Sequence, residues 1–182
     1  MPITDHRTWY YINLLALVAY LCTVSEDLFH LLKDAFERVG RALRVIIYID
    51  EINPGNPLRP DKARLLSAVY WTFAELPHWY LQRKGSWWLF GVLNTATAQA
   101  LEGHISEFMG MVLRAFFPQE GNSFSRGVVI QHGRDSKLLR ASFGGFLADE
   151  KALKEVYDIK GQAGSYPCIS CLNACNRWVA PN

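Results

Sequence analysis

The chain has 182 residues, enough for one domain with a substantial core and at most two. Half of the residues are hydrophobic and 13% are aromatic, with six tryptophans, which excludes an intrinsically disordered chain. A net charge of +2 is too small for bulk electrostatics to direct the chain to nucleic acid, so any basic surface must be local.

Residues 10–24 read as a helix carrying Leu14, Leu15, Leu17, Val18 and Leu21. The apolar run from Trp9 to Val24 is shorter than the roughly 20 residues a spanning helix needs, so a buried helix is expected in preference to a membrane anchor. Asp5-His6-Arg7 is not the basic opening of a signal peptide. Ser25 is placed to cap a second helix, with Glu26 and Asp27 near the positive end of its dipole and Gly40 as its stop. That helix should bury Leu28, Leu31, Leu32, Ala35, Phe36 and Val39, with His30 beside the stripe as a partly packed core histidine.

Val45-Ile46-Ile47-Tyr48-Ile49 is a β-branched, apolar run that suits a strand covered on both faces and ends in Asp50-Glu51. Asn53-Pro54-Gly55-Asn56-Pro57 stops it. Asp50 has two readings: a cap for the following turn, or an acid delivered at a sheet edge. Residues 65–76 fit a strand or a buried helix, and residues 87–95 a strand. The tryptophans there read first as core packing, with base stacking as the alternative.

A helix is expected from Ile105 to Phe117, burying Ile105, Phe108, Met109, Val112, Ala115 and Phe116, with His104 as a surface or capping residue. Residues 128–130 and 137–143 bracket Gly133-Arg134-Asp135-Ser136 as a hairpin. Its second arm should run on through Gly144-Gly145, which suggest a bulge or a close backbone approach, to Ala148. Asp149-Glu150 then opens a short helix over 151–157. The order gives an α/β or α+β fold with a mixed sheet.

Asp149 repeats the pattern of Asp50: each ends a strand and precedes a glutamate. Two such carboxylates on neighbouring strands would repel one another unless a cation neutralised them, and Mg²⁺ suits one or two carboxylates plus waters and phosphate. Three of the four cysteines, Cys168, Cys171 and Cys175, cluster near the C-terminus, and Cys22 stands apart. A CxxC at that spacing can put two thiolates on one Zn²⁺ with Cys175 as a third, although free thiols or a redox pair fit the same residues.

Tyr48-Ile49-Asp50-Glu51, Pro54-Gly55-Asn56, Phe73-Ala74-Glu75-Leu76, Ala148-Asp149-Glu150 and Lys160-Gly161 followed by Cys168-x-x-Cys171 occur in that order. Over about residues 25–178 the chain resembles the catalytic region of DDE transposases of the CACTA and Plavaka type. The resemblance implies an RNase H-like mixed sheet flanked by helices, with the first acid at the end of the first strand and the second just after the fourth. Asp50 and Asp149 match those positions as catalytic, Mg²⁺- or Mn²⁺-holding residues, and Cys168 and Cys171 match the Cys-containing element. It implies DNA as partner, a nuclear location and a possible homo-oligomer.

The family's third acid lies on a helix well beyond that element, and Glu155 and Asp158 follow Asp149 too closely to match it. The expected organisation is an N-terminal helical segment (1–40), a partial RNase H-like core (41–160) and a Cys-containing element (161–182). Three readings result: a partial transposase catalytic domain, inactive if the third acid is missing; a non-enzymatic, transposon-derived scaffold binding DNA or protein; and an unrelated α/β domain held to a membrane by its first helix. Lys and Arg near the site, such as Arg126, Arg134 and Arg140, either contact phosphates or are ordinary solvated charges.

Overall fold

The computed structural model describes residues 9–54 and 64–157. Two helices come first, α1 (Leu14–Val24) and α2 (Glu26–Val39), and the chain bends by 118° between them. Asn13 caps α1, its side chain accepting from the Ala16 N–H. Ser25 caps α2 through the Leu28 N–H, and Gly40 ends it in the left-handed conformation, with φ of 71°. α2 buries Leu28, Phe29, Leu32 and Ala35, so its core face is rotated toward Phe29 relative to the expected stripe. That rotation leaves His30 exposed beside Glu26, correcting its reading as a core histidine. Among the described residues no single helix is long and apolar enough to cross a membrane.

The main sheet contains β1 (Leu43–Ile52), β2 (Leu66–Phe73), β3 (Trp88–Asn94) and β6 (Ala141–Leu147), in the order β3-β2-β1-β6. β1–β2 and β2–β3 pair antiparallel, whereas β6 lies parallel to β1. Helices α3 (His78–Leu81), α4 (Thr95–Gln99) and α5 (His104–Phe116) join these strands, and α6 (Glu150–Val156) follows β6. The segment 66–73 thus resolves as a strand, consistent with its β-branched and aromatic content. The result is a mixed α/β fold with a four-stranded mixed sheet flanked by helices.

One face of the sheet makes the core. Val45, Ile47 and Ile49 on β1 pair across to Phe73, Trp71 and Val69 on β2, and all six are buried. Trp71 meets Trp88, Phe116 and Phe124 at ring centroid distances of 4.9, 5.6 and 5.4 Å, which seats α5 on this face. α5 buries Ile105, Phe108, Met109, Val112 and Phe116, as its 3.6-residue period requires. The opposite face of β1, with Arg44, Ile46, Tyr48 and Asp50, is only partly covered. The expectation of a strand buried on both sides is therefore corrected: the unbroken apolar run conceals an ordinary alternation, in which Ile46 and Tyr48 face outward.

The second correction concerns the hairpin. β4 (Val128–His132) pairs with β5 (Asp135–Leu139) as a separate two-stranded sheet, and the arm does not run on through residue 148. The chain breaks at Arg140 and re-enters the main sheet as β6. The hairpin packs against α1 and α2. A bulge interrupts β1–β6 pairing where Val45 faces Phe143 but Ile46 faces Gly145. A Cβ on Gly144 would lie 2.8 Å from the Arg44 Cβ and 3.0 Å from the Val45 carbonyl oxygen, so this close approach needs glycine.

α1 begins later than expected because residues before it run along the edge of β3. The Ile12 N–H donates to the Phe90 carbonyl at 2.8 Å, and Trp9 Nε1 donates to the Val92 carbonyl at 3.0 Å. Trp9 also packs edge-on against Phe90 and Phe108.

Candidate functional site

The parallel pairing of β1 and β6 ends with Tyr48 opposite Leu147. Two residues further along each path come Asp50, still within β1, and Asp149, which has left β6 to cap α6. Both acids and Tyr48 line one pocket, together with Glu51 and Glu155. Ser67 and Thr95 also line it, buried and 3.0 Å apart between hydroxyl oxygens. The volume is about 170 Å³, which suits a hydrated ion or a phosphate group rather than a whole nucleotide.

Each acid has a local structural job as well. Asp149 Oδ1 accepts from the Ala152 N–H at 2.7 Å, the N-cap bond of α6. Asp50 Oδ1 accepts from its neighbour's N–H, that of Glu51, at 2.8 Å. Both side chains are exposed. Tyr48 registers the two charges together: burial first, then hydrogen bonding to Asp50 and the charges of Asp50, Asp149 and Tyr70, push its phenol above the ordinary range. It therefore remains a protonated donor well into alkaline solution.

Glu155 was set aside on spacing alone, yet α6 brings it to the same pocket as Asp149. The signal in the sequence was helical period: one turn of α6 separates Ala152 from Glu155, and both line the pocket. Among the described residues, however, no three His, Cys, Asp or Glu side chains are arranged to hold a metal ion. Cys168, Cys171 and Cys175 lie outside the described residues. Cys22 is buried in the α1 core face, where desolvation pushes its thiol up to about 12.

No family model, curated protein or solved structure matches this chain.

The arginines expected near the acids are elsewhere. Arg140 precedes β6 while Asp149 follows it, so they sit at opposite ends of a seven-residue strand, on the order of 20 Å apart. Arg134 is in the turn of the hairpin, and Arg126 donates to the Gln119 carbonyl at 3.2 Å. None of the three lines the pocket. Their position follows from chain order: Arg134 and Arg140 precede β6, whereas Asp149 follows it. His104, expected as a surface or capping residue, is exposed at the start of α5 with a φ of 51°.

Proposed function

We propose that the chain carries a partial catalytic domain of a DDE-type DNA transposase, built on an RNase H-like core, in which Asp50 and Asp149 hold a divalent cation for phosphodiester cleavage and strand transfer. The observation that supports this is the parallel neighbourhood of β1 and β6, which delivers both acids to one pocket. The order β3-β2-β1-β6, with three antiparallel strands and one parallel to the first, is the arrangement such a core would have. Asp149 then follows the fourth strand of the main sheet.

Two carboxylates form a hard oxygen donor set that fits Mg²⁺ or Mn²⁺, since Mg²⁺ keeps several waters and takes the remaining ligands from substrate phosphate. When bound, such a cation supplies charge neutralisation and an activated oxygen nucleophile at the phosphodiester. The chain's own contribution is orientation. The α6 cap holds the Asp149 carboxylate, and the Glu51 N–H holds that of Asp50. DNA is the partner in this reading and the nucleus its location, with Zn²⁺ assigned to Cys168, Cys171 and Cys175.

A second reading, a non-enzymatic transposon-derived scaffold, is favoured by one observation. Each acid already satisfies a local backbone N–H, a role that needs no metal.

Calorimetric titration of Mg²⁺ and Mn²⁺ into the wild type, Asp50→Asn and Asp149→Asn separates the two. Asparagine caps helices about as well as aspartate, so Asp149→Asn removes charge while keeping α6. Loss of cation binding in both variants, with the fold intact, is the expected outcome. If the wild type ignores both cations, or the variants bind them equally well, the paired-acid reading fails and the scaffold reading stands.

A further inference from the structure

The sheet has a second face, opposite α5, which carries Asp50 at one end and a row of apolar and aromatic residues beside it. One register line crosses all four strands there: Leu147 beside Tyr48, Tyr48 beside Tyr70, and Tyr70 beside Leu89. Leu147 and Leu89 are 50% and 36% exposed, and the two tyrosines between them are half-buried. The Tyr48 and Tyr70 rings stack with centroids 6.2 Å apart and planes 29° from parallel. Trp87 approaches Tyr48 edge-on at 5.9 Å. It comes from the turn after α3, where its Nε1 and the Ser86 hydroxyl both donate to the Leu81 carbonyl.

That turn is also basic. Arg83 and Lys84 are exposed, and the Arg83 guanidinium lies 4.8 Å from the ring of Trp79, itself 52% exposed. Aromatic rings on a sheet face, flanked by cations, are the combination that holds unpaired nucleic acid, because every base has a π-face to stack and the backbone is anionic. A duplex offers no such faces, its bases being stacked on one another.

We propose that Tyr48, Tyr70 and Trp87 form a stacking platform for an unpaired nucleic-acid strand, with Arg83 and Lys84 meeting its phosphates. The inference rests on the acid-pair reading for orientation: Tyr48 belongs both to this row and to the pocket of Asp50 and Asp149, so a strand stacked here leads its backbone to the two acids. A second copy of the chain, or another protein, is the competing occupant of the same face.

The test uses the full chain and a fluorescein-labelled oligothymidylate, followed by anisotropy in chelator, where a cation at the acids plays no part. The wild type should bind the single strand in preference to the matched duplex. Tyr70→Leu and Trp87→Leu should each weaken that binding about ten-fold or more, while Tyr70→Phe, which keeps the ring, should not. Photo-cross-linking of an iodouracil-substituted strand to the wild type reads the same contact without any variant and should map to Tyr48, Tyr70 or Trp87. Four results would overturn the proposal: no binding by the wild type, variants that bind equally well, cross-links elsewhere, or loss of self-association in Tyr70→Leu with oligonucleotide binding unchanged. Because the readout is metal-free, it can fail while cation binding at Asp50 and Asp149 survives, and the converse.

Discussion

Gly144→Ala tests the join that brings the two acids together. The bulge at Gly144 lets β6 run beside β1 in the register that ends at Tyr48 and Leu147. A methyl group there would meet the Arg44 Cβ at 2.8 Å, the Val45 carbonyl oxygen at 3.0 Å and the Ile46 Cδ1 at 3.2 Å. The first two are backbone-fixed and cannot rotate away, so the strands must separate locally. Overpacking of this kind costs about 1–3 kcal/mol. The alanine also reduces the freedom of the unfolded chain, which returns about 0.4–1 kcal/mol, leaving a net destabilisation of about 1–2 kcal/mol. For a chain of this length, that corresponds to a fall in Tm of roughly 2–8 °C. Urea unfolding followed by far-UV circular dichroism would read it, with Gly85→Ala as control, since nothing lies within 4 Å of a Cβ at Gly85. If Gly144→Ala is as stable as Gly85→Ala, the strands are not held this closely and the reasoning about the bulge is wrong.

Cys22 should react slowly with Ellman's reagent in the folded protein and rapidly once unfolded, since its side chain is buried and its thiol is pushed up to about 12. The raised value favours the folded state below the ordinary thiol value of 9.0, and this contribution should be lost as pH rises from there toward 12, visible as a falling Tm in alkaline solution. Glu75→Ala should destabilise by about 1–3 kcal/mol in urea unfolding, because this nearly buried carboxylate accepts from both the Arg44 N–H and Arg44 Nε, at 2.8 and 2.7 Å. A change below a few tenths would mean that the contact contributes nothing net.

Local chemistry made much of the fold legible. Ser25 and Gly40 bound α2 because a hydroxyl can take an orphan N–H and glycine can take a positive φ. The period of Ile105, Phe108, Met109, Val112 and Phe116 determined α5 and the face it buries, and β-branched content determined β1. Asp149 was recognisable as an acid where a strand runs out, whereas Asp50, read the same way, lies inside β1, which pairs on through Ile52. What the sequence could not determine was pairing. A strand's preference for its conformation says nothing about its neighbour, so β6 read as the continuation of a hairpin arm when it in fact leaves at Arg140 and joins β1. That single non-local choice brought Asp149 to Asp50, with Glu155 following on α6. The open face was hidden for a related reason. Ile46 and Tyr48 belong to the same strand-forming run as Ile47 and Ile49, and only the side on which α5 packs decides which of them meet water.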